Sequence, residues 1–439
     1  MLLGASRLKR RILVCAVGVW AALSFLSCGG SSKPKNPPSG LKERVLASQG
    51  VSSTLLQGRL VFINGTNDTI APVTPISAGT SPGLMALNPN RSVLAAFDNS
   101  TTSVFAINTT TESGIGSVRL PGPTSSMVFP VASPIGYAAV PSATVNGFSF
   151  LGAVDVMNFS TAALSTIAVT SAQTVVSNSN GTELLVFSND SDSMTVLFPT
   201  AAAPPVDTSC YSNPPNSVCA IVPGFDRPVF AIVNGSTAYV LNCGPQCGGS
   251  QASVMVFDMN SFAITATIPV DAATTALLNG STLYVAGTPP SNNACTGQTT
   301  AATICGRLDI VDLASGTVTG RAVITNGYHD RIDMTSNGQI FVGSRTCTSI
   351  GDVNNPVGEV RGCLSIFRTQ DNSVLIPPDN GDVLGLQGFT SRNVEYVAEG
   401  GALRVYDTNK DILLINDFVP QGSINVVGFV GDIKAIDFF

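Results

Sequence analysis

The chain has a single histidine, His329, immediately followed by Asp330 and Arg331, and an earlier acid-base couple, Asp226 with Arg227. Charged residues are only 11% of the sequence, so two such concentrations mark candidate ligand-binding positions. Arginine presents a bidentate fork suited to carboxylate or phosphate. Beside it, an acidic residue or a bound metal would be placed to activate water. The plainer reading of the same residues is a set of ion pairs between neighbouring structural units. Familiar catalytic signatures are absent: no G-x-S-x-G, HExxH, phosphate-binding loop or CxxCH occurs, and nothing calls for a cofactor or a metal. Asp352, Asn354, Gly358 and Glu359 offer oxygen ligands, but at a spacing too loose for a calcium loop.

The ten cysteines supply a second chemistry. Setting aside Cys15 and Cys28, eight remain in four close couples: Cys210 with Cys219, Cys243 with Cys247, Cys295 with Cys305, and Cys347 with Cys363. Even-numbered, locally paired cysteines in an exported protein read as disulfides that staple loops. A metal centre is the rival, because Cys243 and Cys247 could supply two thiolates. Zinc would need further ligands, and His329 is the sole histidine.

An internal repeat must position these residues. Eight times the chain writes a strand that ends in a small polar cluster: RVLASQ (44–49), VLAAFD (93–98), GYAAVP (136–141), LLVFSN (184–189), AYVLNC (238–243), LYVAGT (283–288), IFVGSR (340–345) and EYVAEG (395–400). Each is followed by a second alternating strand, such as SVMVFDMN (253–260) or RLDIVDLAS (307–315), whose terminal Asp or Asn (Asn158, Asp258, Asp312, Asp407) suits a capped turn. A third and a fourth strand complete each unit. The mean step of 50 residues between Val45 and Glu395 lies in the range of propeller blades. The expected fold is therefore all-β, a single β-propeller of four-stranded blades over residues 43–439.

Innermost (A) strands are expected near residues 84, 126, 174, 229, 275, 331 and 385. The stretch 42–77 offers the B, C and D strands of a further blade, and 423–430 the missing A strand. Closing the ring with both termini removes the last exposed sheet edge. Eight blades are favoured, with seven as the alternative. In this topology Asp226, Arg227, His329, Asp330 and Arg331 enter the ring from D-to-A connections. Three of the cysteine couples fall in B-to-C loops of consecutive blades on the same face.

Residues 7–11 carry four basic side chains, and residues 12–26 are apolar, too short for a comfortable membrane span of about 20 residues. Residues 1–27 read as a signal peptide. Cys28, followed by GGSS, resembles the cleavage site of bacterial lipoproteins; an ordinary cleaved signal or an uncleaved anchor is the alternative. Residues 28–42, rich in Ser, Pro, Gly and Lys, would form a flexible tether. Without the leader, 18 basic residues face 28 acidic ones, a net charge near −10 that excludes a nucleic-acid backbone as partner.

The units PGLMALNPN (82–90), YVLN (239–242), LDIVDL (308–313) and ATIPV (266–270) resemble the YVTN-type β-propeller repeat family, and the resemblance covers nearly all of the chain after residue 42. It departs from the family in lacking a literal YVTN and in its long cysteine-bearing loops. Trp20, the one tryptophan, lies in the leader, so tryptophan-docking blades are not matched. Related propellers include surface-layer proteins, binding modules, lactonases and cofactor-dependent dehydrogenases. Together with the lipoprotein-like leader and the disulfide-bearing rim, the resemblance points to a propeller tethered by lipid to the bacterial outer membrane that binds a protein or glycan of the cell envelope. A lactonase-like hydrolase at the channel mouth, with Arg227 or Arg331 holding a substrate anion, is the alternative.

Overall fold

The computed structural model describes residues 37–437 apart from 53–54, 146–147, 200–218, 292–294, 296–303, 349, 352–359, 378–380 and 418. The chain divides into two compact units, residues 1–40 and 41–439. Of the first, only a turn is described, closed by the Gly40 N–H on the Pro37 carbonyl at 2.8 Å. The expected leader, Cys28 and the oxygen-rich stretch 352–359 lie outside the described residues.

The second unit is a ring of eight four-stranded antiparallel blades. Numbered from the closing blade, the A strands are Phe429–Ala435, Pro82–Leu87, Ser126–Val128, Ala172–Ser177, Pro228–Asn234, Thr275–Asn279, Tyr328–Met334 and Val383–Gly388. Each touches the A strands on both sides, so together they wall a central channel. The B strands are the apolar runs of the repeat, and Val93–Asp98 is buried at every position. Both faces of such a strand meet a neighbouring blade, which is why its sequence is continuously apolar. Small side chains let the sheets approach: Ala138 and Val140 of blade 3 pack on Val93 and Ala95 of blade 2, with Phe159 filling the outer gap. Phe187 of blade 4 is sealed against Ala238, Val240 and Phe257 of blade 5; truncating such a phenylalanine to alanine costs about 3–5 kcal/mol.

Turn chemistry follows the sequence. The side-chain oxygens of Asn158, Asp258, Asp312 and Asp407 accept backbone N–H groups two residues on, at 2.9–3.1 Å, and Asn64 and Asn108 repeat the device. The residue four positions after the capping one is left-handed throughout, from Asp68 (φ 58°) to Asp411 (φ 56°), although only Gly316 is a glycine there.

The ring is closed by both termini, but not by the segment the sequence suggested. Residues Ser423–Ile424 pair with strand C of blade 8 (Ala402–Asp407). Strand Phe429–Ala435 pairs with Arg44–Gly50, Val45 facing Ala435 and Gly50 facing Phe429. The Gly, Asp and Lys in FVGDIKA mask its alternation, and they have roles here: Asp432 accepts the Met85 N–H at 2.8 Å and pairs with Lys434 at 3.0 Å. Arg44 then clasps the chain end, its guanidinium gripping both Asp437 oxygens (2.9 and 2.6 Å) and Glu112 (3.0 Å).

Candidate functional site

Strand direction fixes which loops share a face: D-to-A and B-to-C connections lie on one side of the ring, A-to-B and C-to-D on the other. Disulfides Cys243–Cys247, Cys295–Cys305 and Cys347–Cys363 close the B-to-C loops of blades 5, 6 and 7, with Cα separations of 5.6, 5.3 and 5.5 Å. Cys219 is also disulfide-bonded, at the opposite face; its expected partner Cys210 lies outside the described residues. The Cys243 bridge holds a one-turn 3-10 helix, Gly244–Cys247, that presents Gln246 sideways. Gln246 accepts the Thr288 N–H at 2.8 Å and donates to the Gly327 carbonyl at 3.2 Å, and the Thr288 hydroxyl donates to the same carbonyl at 2.8 Å. Farther round, the Thr346 N–H donates to Asp382 at 2.8 Å, so the bracing runs from blade 5 to the lead into blade 8. The elaborated loops thus form one rim.

Inside that rim is an open cavity of about 380 Å³, reaching from blade 4 (Gln173, Asn189, Asp190) past Arg227 and Cys247 to Tyr328 of blade 7. A second space of about 340 Å³ continues down the channel, lined by Phe230, Asp330, Arg331, Asp333, Leu386 and Lys434. Several A strands carry a β-bulge near the mouth, among them one between Pro228 and Phe230 and one between His329 and Arg331. A bulge inserts one residue and re-aims those that follow.

The five sequence candidates separate accordingly. Asp226 braces the rim, its carboxylate accepting the N–H groups of Ser250 (3.0 and 2.9 Å) and Gln251 (2.7 Å). The loop presses close enough that a Cβ on Gly249 would lie 2.0 Å from Asp226 Oδ1. Arg227 does line the cavity, with φ 57° and its N–H on Asp192 Oδ1 at 3.3 Å. Its Nε stands 3.7 Å from the same oxygen, and the Asp192 side chain is 65% exposed.

His329 does not reach the channel: it is fully buried at the interface with blade 6, its Nε2 2.9 Å from the Thr325 carbonyl and its ring against Gly306. Burial lowers its pKa to about 4, outweighing the hydrogen bond to Thr325, so the ring is neutral at pH 7. The bulge at Asp330 separates His329 from Asp330 and Arg331, which pair with each other and line the second space together. Asp330 pairs with Arg345 (2.8 Å) and Arg331 (3.4 Å), while burial pushes its carboxyl up against those two charges. Arg331 ties blade 7 to blade 8 by donating to the Leu384 carbonyl at 2.7 Å. Its ion pair to Asp330 lies within its own blade, and its contact across to blade 8 is to a backbone carbonyl.

Sequence reading missed Tyr328, Asn189 and Asp190. For Asn189 and Asp190 the signal was the polar cluster at the end of the blade 4 B strand, LLVFSND, which places polar side chains on the rim; Tyr328 opens the blade 7 A strand directly before His329. It also missed Glu395, fully buried beside Asp333 and pushed well above the usual carboxylate range by burial and by that neighbour's charge. Among the described residues no three metal-ligating side chains come together.

No family model matches the chain, and no curated protein matches it. The YVTN-type resemblance accordingly rests on the motifs alone. Among solved structures the chain is similar to the dihydro-heme d1 dehydrogenase NirN in complex with DHE, with 11% identity over 93% of this chain and 78% of that one and a TM-score of 0.61. It is also similar to the Dos1 propeller (10% identity, 82% and 84% covered, TM-score 0.50) and to BamB from Moraxella catarrhalis (11%, 80% and 92%, TM-score 0.48). At such identities the first two likenesses establish the β-propeller fold and nothing about activity.

Proposed function

We propose that the chain is a lipid-anchored, extracytoplasmic binding or scaffold module of the bacterial cell envelope, held at the outer membrane through Cys28, which engages a protein or glycan of the envelope with the braced face around the channel mouth. One observation carries this reading: three disulfide-closed loops stand on consecutive blades at one face, the first two hydrogen-bonded through Gln246 and Thr288, and the first lines an open cavity there through Cys247. Loops held by a rigid ring are where propellers and similar scaffolds place recognition. The basic, then apolar leader and the local disulfides support export to an oxidising compartment.

The hydrolytic alternative is weaker. Of the two arginines it could use, Arg331 is committed to the backbone of blade 8, and the chain's one histidine, His329, is sealed between blades.

Affinity capture from envelope extract tests the reading, with the full chain, a C243S/C247S/Q246A rim variant, and Lys410→Ala on the opposite face as control. Loss of the captured partner in the rim variant alone is expected. Equal capture by all three refutes the assignment of this face. Mass spectrometry of the membrane fraction should find residues 1–27 removed and Cys28 acylated; Cys28→Ala that stays equally membrane-bound refutes the anchor.

A further inference from the structure

Two charged side chains line the channel-mouth cavity: the guanidinium of Arg227, whose Nε has no hydrogen-bond partner among the described residues, and the exposed carboxylate of Asp190. Arg227 is only loosely neutralised, its one ion pair among the described residues being with Asp192. Asp226 is taken up by the backbone of Ser250 and Gln251, and Asp192, at 3.7 Å from Nε, stands largely in water. Both residues are left-handed, φ 57° at Arg227 and 55° at Asp190, a conformation the chain also uses in its capped turns, as at Asp68 and Asp411. The rest of the lining is uncharged: apolar at Phe187, Pro228 and Val229, and polar at Asn189, whose amide donates to Gln173 at 3.0 Å, and at Tyr328, 40% exposed.

A simple anion would meet Arg227 but also the repulsion of Asp190 and Asp192. A neutral sugar would cover both charges and leave them without partners, which is costly. A ligand carrying one charge of each sign answers both. We propose that this cavity takes a free zwitterion of the α-amino-acid or dipeptide class, its carboxylate on the Arg227 fork and its ammonium on Asp190. The volume of about 380 Å³ is at the small end of ligand pockets, in keeping with that size. The proposal rests on reading this face as the binding surface.

Isothermal titration calorimetry on the full chain tests it, with alanyl-tyrosine, its N-acetyl form and its C-terminal amide. The free dipeptide is expected to bind, and each capped form to bind about 10- to 100-fold more weakly, the loss expected for one charge-assisted contact. Arg227→Met should abolish discrimination between acid and amide only; Asp190→Asn should abolish discrimination between amine and N-acetyl only. No heat at millimolar dipeptide, or equal binding of all three forms, overturns the proposal, and so does sodium glucuronate binding as tightly as the dipeptide. If either variant fails to fold, the three-ligand comparison on the unaltered chain decides alone. Failure here with rim-dependent envelope capture intact removes the zwitterion and leaves the binding face standing; failure of capture as well removes both.

Discussion

Replacing Arg44 by Met removes the clasp on the chain end while keeping most of the buried stem. The guanidinium makes two bonds to Asp437, one to Glu112 and one to the Thr109 carbonyl, with side-chain exposures of 9% for Arg44, 6% for Glu112 and 22% for Asp437. Breaking a buried pair by removing one partner costs about 3–5 kcal/mol, because the other charge stays buried without compensation. Asp437 can rehydrate, which places the expected loss near the lower figure, about 3 kcal/mol. Adding Glu112→Gln removes an acidic partner of Arg44 as well, so the double variant should lose less than the sum of the two single changes, a coupling of about 0.5–3 kcal/mol. Urea denaturation at pH 7 measures the change, and hydrogen exchange should quicken first in Phe429–Ala435 and Arg44–Gly50, the strands that close the ring. A loss below about 1 kcal/mol, the level of an exposed pair, with unchanged exchange in those strands, refutes this account of closure.

Arg227→Ala should leave stability within about 1 kcal/mol, since its one ion pair among the described residues is solvent-facing, whereas Arg331→Ala should cost about 1–3 kcal/mol through its lost bond to Leu384; parallel melting curves separate the two. His329 is held neutral with a pKa of about 4 against 6.5 when unfolded, so its contribution is full above pH 6.5 and fades as pH falls toward 4. The unaltered chain should therefore lose up to about 3 kcal/mol more than His329→Gln between those limits, as read from denaturation at each pH. Cys243→Ser with Cys247→Ser should lower stability by only about 2 kcal/mol because the closed loop is short, and peptide mapping of the unreduced protein should recover linked peptides for all three described bridges.

The architecture was legible because propeller strands are short, alternating and repeated, and their B strands are apolar on both faces. The closing strand was harder to see, since FVGDIKA interrupts its apolar alternation with residues that serve neighbouring strands. At the mouth, sequence order was a poor guide. His329, Asp330 and Arg331 are consecutive, yet a bulge sends them to a blade interface, an ion pair and the backbone of the next blade. Asp190 and Tyr328 are far apart in the chain and share a cavity only because the ring brings blades 4 and 7 around one channel. Local pattern reports strands and turns; it carries no record of which strand ends face each other across a closed ring.

Site-specific photo-crosslinking in intact envelopes tests the central claim most directly. With a photoreactive phenylalanine in place of Tyr328 or Gln251 on the rim, and of Lys410 on the opposite face, the binding-face account expects a discrete adduct from the two rim positions and none from position 410. Adducts from position 410 with none from the rim would contradict it.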